Sequence, residues 1–487
     1  MNQDIRILEP NNLWNKFADL NAVPRPSKKE DRVIEFMKNF GISLGLETFE
    51  DDIRNVIIRK KATTGMENRK PIVLQGHLDM VHQKNNDTVF DFENQGIDMY
   101  VDGDWVRAKG TTLGADNGLG VAMIMAILES KTIEHPAIEA LFTIDEETGM
   151  TGALNLKGGI LQGEILLNMD TEEDDEIDIG CAGGIDVTAN RSYYEEDVPE
   201  NSVGYTITVN GLNGGHSGID INKGLGNANK IMNRLLFDGF ENFGLQISEI
   251  NGGSLRNAIP RESVAKVIVA AMFDEAFVFD MQEVINDIKI EYKTTEPNLK
   301  IEITPADLPS KVMDLGVQEG LIRAVYAAHN GVYRMSADMQ DLVETSNNIA
   351  KIIVKDGEIS IQNLTRSSVE TSKMDLANAL RSAYELFGCE VTFGGSYPGW
   401  TPNVKSEILD VLTEIYEKQN GEKAKVVACH AGLECGILGT NYPIMDMISF
   451  GPTIHGAHSP DERASISSSQ KFYKFVIEIL KNIPLKS

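Results

Sequence analysis

The sequence is poor in cysteine, in basic charge and in long apolar runs. Four cysteines, Cys181, Cys389, Cys429 and Cys435, are spread through 487 residues. They form no Cys-x-x-Cys pair and are too few for a disulfide framework. Lys and Arg number 45 against 73 Asp and Glu, a formal charge of −28. That field repels phosphates, so it argues against a nucleic-acid or anionic-membrane partner. The apolar stretch 119–128 is too short to span ~30 Å of hydrocarbon. The N-terminal Met-Asn-Gln-Asp-Ile-Arg lacks the apolar core of a signal peptide. These absences read as a soluble cytoplasmic protein. With 42% hydrophobic and 24% charged residues the composition is that of a folded chain. Its length predicts two to four domains at ~100–200 residues each.

The first part alternates strand and helix signals. A helix is predicted over 30–40, and strands over 56–59, 71–75, 138–144 and 164–169. A glycine-punctuated turn, 110–118, opens an apolar helix over 119–129. Buried strands alternating with helices predict an α/β sheet whose chemistry sits at strand ends. Near 185–205 the texture changes. Strand, helix, two strands, helix and strand follow one another from 205 to 304, the order βαββαβ. A looser second pass occupies 317–393. This predicts a doubled, ferredoxin-like α+β lid domain over 188–401, inserted into a catalytic domain made of 1–187 and 402–487.

The chemistry-bearing residues gather at the ends of the first domain's strands. His77 and Asp79 end one strand and, two apart, share a face. A metal-bound imidazole commonly has its other nitrogen held by such a carboxylate, although a lone His-x-Asp is also an ordinary structural pair. Asp116 sits in the glycine-rich turn, where an isolated Asp would read as a helix cap. Asp145-Glu146-Glu147 leave another strand, and there one acid can ligate a metal while its neighbour faces the reacting water. Asp170 ends a third strand, and the acids 172–176 behind it read as a solvated loop. Histidine is scarce, eight in all, and His458 falls near the C-terminus after a strand and a turn. Two imidazoles (His77, His458) and three carboxylates (Asp116, Glu147, Asp170) suit two divalent ions with one carboxylate bridging. Zinc leads, with manganese and cobalt as alternatives.

Five segments occur in a familiar order: Gly76-His-Leu-Asp-Met80, Gly114-Ala-Asp-Asn-Gly118, Asp145-Glu-Glu-Thr-Gly149, Asn168-Met-Asp170 and His458-Ser-Pro-Asp-Glu462. The chain resembles the dinuclear zinc peptidases related to aminoacylase and carnosinase. Met66-Glu-Asn-Arg-Lys-Pro71, Gln83-Lys-Asn-Asn-Asp-Thr88, Gly180-Cys-Ala-Gly-Gly-Ile185 and His430-Ala-Gly-Leu-Glu-Cys-Gly436 bring it nearer to that family's bacterial dipeptidases, over nearly the whole chain. The resemblance implies that His77 and Asp170 serve one ion and Glu147 and His458 the other, with Asp116 bridging the two and its peptide bond to Asn117 cis. It implies Glu146 as general base and Asp79 as the acid orienting His77. In the lid it implies His216 as an oxyanion donor, and Asn257 and Arg366 as residues that grip the substrate, Arg366 by its carboxylate. His430 and Glu434 receive no role, His455 reads as a bystander, and His82, His135 and His329 as structural or exposed.

The activity so implied is hydrolysis of dipeptides with a free N-terminus, including Xaa-His substrates, by a cytoplasmic homodimer. The alternative on the same core is an amidohydrolase of N-acyl amino acids.

Overall fold

In a computed structural model, which describes residues 2–486, the apolar runs become the middle strands of an eight-stranded sheet. Ile72–His77 pairs in parallel with Ile138–Thr143 on one side and Ile165–Asn168 on the other, and the latter with Asp446–Ser449. The first three are buried throughout, as a parallel sheet covered on both faces requires. Their C-terminal ends therefore fall along one edge, with His77 beside Thr143 and Gln75 beside Asn168.

Helix Ala115–Glu129 packs on the Ile72–His77 strand and on helix Asn11–Asn21. All its residues from Asn117 to Leu128 are buried, the mark of a helix apolar all round. Its N-cap residue, Gly114, has no side chain with which to cap it. A cap contributes only ~1 kcal/mol, against ~1.5–3 kcal/mol for each buried Leu, Ile or Met, so burial decides. Asp116 and Asn117 are non-helical within the first turn, and the bond between them is cis.

This sheet belongs to a unit formed by the chain up to Gly180, by Trp400–Ala428 and from Leu433 onward; Cys181–Gly399 and Cys429–Gly432 form a second unit. The crossings lie a few residues before the expected 187/188 and 401/402. Strand Gly183–Ser192 already belongs to the second unit's sheet, and its buried Ile185, Val187 and Ala189 look no different in sequence from what precedes them. One small sheet has no counterpart in the sequence reading. Ile454–His455 pairs with Arg463–Ser465, which pairs with Trp105–Ala108 and through it with Met99–Asp102. It holds the loop carrying His458 at the tip of a hairpin.

In the second unit two βαββαβ halves supply eight strands of a nine-stranded antiparallel sheet, and Gly331–Met335 adds the ninth beside Val343–Lys355. The inner half uses Ser202–Asn210, Gln246–Gly252, Ser263–Ala270 and Lys300–Ala306, with helices Ala228–Phe243 and Asp274–Tyr292. The outer half uses Gly183–Ser192, Val343–Lys355, Glu358–Ser367 and Glu390–Tyr397, with helices Leu315–Ala327 and Glu370–Leu386. Gly183–Ser192 is thus the first strand that the second pass lacked, and the inner half is threaded into the connection that follows it. The halves join where Ile250 to Gly252 pair with Val354 to Ile352, and one apolar core underlies both.

Candidate active site

Along the C-terminal edge of the first unit's parallel strands, Asp116 stands between two imidazoles. Its Oδ1 lies 3.1 Å from His77 Nε2 and its Oδ2 3.1 Å from His458 Nε2. His77 Nε2 also faces Asp170 Oδ1 at 3.6 Å, and His458 Nε2 faces Glu147 Oε2 at 3.0 Å. Two donor groups result, His77–Asp116–Asp170 and Asp116–Glu147–His458, with Asp116 common to both and the ligand atoms of each within 4.8 Å of one another. Asp79 Oδ1 faces the remaining His77 nitrogen at 3.4 Å, an ion-pair rather than a hydrogen-bond distance. The five expected ligands and Asp79 are therefore brought together, and Glu146 joins them in a third group with His77 and Glu147.

The electrostatics are those of a pocket with more acid than cation. Hydrogen bonds to Asp116 and Glu147 raise His458 to about 11. Burial would lower His77, yet the surrounding carboxylates, Asp170 foremost, drive it well above its ordinary value. Burial would raise Asp116, but His458 and His77 hold it below the usual carboxylate range. Glu146 is pushed well above that range by burial, with Asp170, Glu434 and Glu147 adding and His77 opposing. Glu147 Oε1 and Asp170 Oδ1 are buried with no hydrogen-bond partner. Orphaned carboxylate oxygens converging with imidazole nitrogens fit divalent cations as the missing positive charge. A further acidic group, Glu30, Asp79 and Asp145, is occupied by its own network: Ser27, Thr148 and Thr151 hydroxyls and the N–H groups of residues 28, 145, 146 and 147 donate to it.

Beneath the ligands lies a row of polar groups that sequence reasoning missed. Asn168 Nδ2 donates to Gln75 Oε1 at 2.5 Å, and Gln75 Nε2 to Glu434 Oε2 at 2.6 Å. Thr143 Oγ1 donates to the same oxygen at 2.7 Å. Gln75 and Asn168 precede His77 and Asp170 by two positions, so the alternation of those strands could have revealed them; Thr143, two positions before Asp145, carried no such signal. Burial raises the Glu434 carboxyl to about 7. The acids 172–176 correct the expectation of a freely solvated loop. Glu173 pairs with His455, Asp174 with Lys471 and Asp175 with Lys425. Burial, with the Asp116 charge adding, raises Glu172 to about 8.

Within the second unit, His216 and Arg366 come together. His216 Nδ1 accepts the backbone N–H groups of Gly218 and Ile219 at 3.2 and 3.1 Å. That fixes the tautomer: the proton resides on Nε2, which is a donor. Arg366 Nη2 stands 3.4 Å from that Nε2, and two donors facing each other make a place for an anion. Arg366 is 4% exposed. Its Nη1 donates to Tyr397 OH at 2.9 Å and its Nε to Ser217 Oγ at 3.4 Å. Burial, then the Arg366 charge, lowers His216 to about 4 and keeps it neutral. His430 Nε2 meets the hydroxyl of Ser346 at 2.8 Å, and Ser346 is the strand partner of Arg366. Asn257 is exposed; its carbonyl accepts the Ser217 N–H at 2.8 Å, beside the short ladder pairing His216 with Ala258. Of the remaining histidines, His135 is buried with Nδ1 2.7 Å from the Pro136 carbonyl, and His82 is exposed against Phe92.

The sheet with converging acids and imidazoles at one edge, interrupted by a doubled α+β unit, has a counterpart among known proteins. The pattern of Peptidase family M20/M25/M40 matches residues 73–482, and the chain belongs to this family of hydrolytic enzymes. It is 42% identical over 482 residues to the cytosol non-specific dipeptidase of Escherichia coli (strain K12), covering 98% of this chain and 99% of that one. The crystal structure of aminoacylhistidine dipeptidase from Vibrio alginolyticus superposes with a TM-score of 0.95 at 41% identity, covering 99% of each chain. A tripeptidase from Staphylococcus aureus shares the fold, with a TM-score of 0.57 at 16% identity over 98% of this chain and 99% of that one.

Proposed function

We propose that the chain is a dinuclear-metal dipeptidase that hydrolyses dipeptides with a free N-terminus, Xaa-His dipeptides among them. The observation that carries this reading is the position of Asp116, one oxygen toward His77 and the other toward His458, in a chain so similar throughout to two dipeptidases. His77 and Asp170 would hold one ion, Glu147 and His458 the other, and Asp116 both. Zinc suits the mixed N/O donor set, with manganese and cobalt as alternatives. When bound, such ions supply Lewis acidity and a water of lowered pKa.

The chain's own groups do the rest. Glu146 takes the proton of the attacking water on a carboxylate oxygen and returns it to the leaving amine nitrogen. Asp79 holds the His77 ring. His216 donates from Nε2 to the oxygen on which negative charge develops. Arg366 holds the substrate's terminal carboxylate in its planar fork, and Asn257 contributes a further polar contact. We take the protein to be cytoplasmic, a reading supported by the name of its Escherichia coli relative. On family resemblance alone we take it to be a homodimer.

The test is a substrate panel on purified protein, stripped by chelator and reloaded with each metal in turn. Dipeptides with free amino groups are expected to be cleaved and N-acyl amino acids left intact. Cleavage of the N-acyl compounds alone would make the chain an amidohydrolase on the same core.

A further inference from the structure

Two fully buried residues of opposite charge grip one peptide unit next to Asp116. Glu462 is 2% exposed, and its carboxylate fills a concave run of backbone donors. Oε2 accepts the N–H groups of Leu113 and Gly114 at 2.6 and 2.9 Å, and Oε1 accepts that of Ala115 at 2.7 Å and, at 3.4 Å, that of Asp116. Successive N–H groups pointing inward form a nest for an anion. Arg25 is 1% exposed and holds the other side. Its Nη2 donates to the Gly114 carbonyl at 2.5 Å and to Asn21 Oδ1 at 3.0 Å. Its Nη1 donates to the carbonyls of Leu78 and Asp79 at 3.1 and 3.0 Å.

The Gly114 peptide unit and its neighbour are thus fixed by an anion at the N–H groups and a cation at the carbonyl. Gly114 lies at φ +69°, and a Cβ there would come within 2.6 Å of Arg25 Nη2 and 2.8 Å of Met80 Sδ. At Gly118 a Cβ would come within 2.7 Å of the same nitrogen. The guanidinium therefore leaves no room for a Cβ at Gly114, just before the helix, or at Gly118, in its first turns. The three segments it and Glu462 join are those that carry His77 and Asp79, Asp116, and His458.

We propose that Arg25 and Glu462 are positioning residues that set the spacing of His77, Asp116 and His458 and so the affinity of the metal pair. The inference rests on the dinuclear reading above. Neither residue touches a reacting atom. Each acts through the backbone that presents a ligand, where outer-shell partners typically change metal affinity ~10–100-fold.

Glu462→Gln keeps the shape but replaces one acceptor oxygen with an NH₂ facing N–H donors. Arg25→Lys keeps the charge but cannot span four acceptors. Metal-stripped wild type and both variants are titrated with Zn²⁺ against a chromophoric chelator. Hydrogen exchange over residues 110–118 and thermal melting are followed in the stripped proteins. The expected result is two ions in wild type, a ~10–100-fold weaker affinity in each variant, and faster exchange at 113–116 in Glu462→Gln. At saturating metal, KM should stay near the wild-type value. Wild-type metal affinity in either folded variant would overturn the proposal, as would affinity loss confined to variants whose stripped form no longer melts cooperatively. A wild-type chain that holds fewer than two ions would overturn the dinuclear reading as well, and is told apart because no variant is needed to see it.

Discussion

Asp79 Oδ1 accepts the backbone N–H of Glu146 at 3.0 Å. The carboxylate that faces the His77 ring therefore also fixes the peptide from which the proposed base projects, and Oδ2 does the same for Glu147 at 3.3 Å. One buried acid thus meets the His77 ring and the backbone of both Glu146 and Glu147. Asp79 stays ionised because the His77 contact and its N–H and hydroxyl donors outweigh the effect of burial.

The proposed function gives the adjacent glutamates separate duties. Glu147 faces His458, and Glu146, which shares a donor group with His77 and Glu147, is the proposed base. Glu146→Gln is expected to lower kcat at least ~10²–10⁴-fold while both ions stay bound. Metal analysis beside the rate measurement checks this, and loss of one ion would show the two roles to be exchanged.

The shared position of Asp116 gives a second expectation. Asp116→Ala should empty both metal positions, whereas His458→Ala should weaken chiefly one. Titration of bound metal against chelator distinguishes a two-step release from a joint one, and equal loss in the two variants would count against a bridging carboxylate.

In the second unit, His216 with its proton on Nε2 is a donor at neutral pH. His216→Ala should lower kcat strongly, since a bond to a developing oxyanion strengthens only in the transition state. Arg366→Ala should mainly raise KM for dipeptides, and less so for substrates amidated at the C-terminus. Mixing Glu146→Gln and His216→Ala chains tests whether His216 serves its own active site or a partner's: recovered activity would mean that it crosses between subunits.

Burial, with Arg366 and His216 adding, lowers His430 from 6.5 to about 3. Unfolding lets this histidine take up a proton below pH 6.5, so its contribution is whole above that value and is lost as pH falls toward 3. The unfolded chain binds more protons in this window, and stability rises with pH. Between about pH 7 and about pH 5 the expected cost is roughly 2 kcal/mol. Urea unfolding at the two values should show it in wild type and show less of it in His430→Gln. An unchanged pH dependence would mean that His430 is not neutral in the fold.

What the sequence made legible follows from how local each signal is. His77, Asp116, Glu147, Asp170 and His458 lie at strand exits and glycine turns whose hydrophobic period can be read from neighbours, and their order along the chain carried the family. Arg25 could not be read this way. It sits in Val23-Pro-Arg-Pro-Ser27 with no periodicity, and its partners at Leu78 and Gly114 are set only by packing. Glu434 was visible as a residue, but Gln75 and Thr143 turn it into the end of a buried row only once the strands lie side by side. The second pass lacked its first strand because Gly183–Ser192 is separated from its sheet partners by the whole inner half.

That threading dictates an order of assembly. The inner half closes its own four strands within Ser202–Asn210 to Lys300–Ala306, a stretch of local pairings that can form as soon as it is synthesised. Gly183–Ser192 must wait for Glu358–Ser367 and Glu390–Tyr397, its neighbours on either side. Pairings of such long sequence separation are slow, because the loop must be closed before the contacts reward it. During synthesis the early strand is left with both edges bare, and a chain released before residue 397 carries a finished inner half beside an open β-edge that invites aggregation.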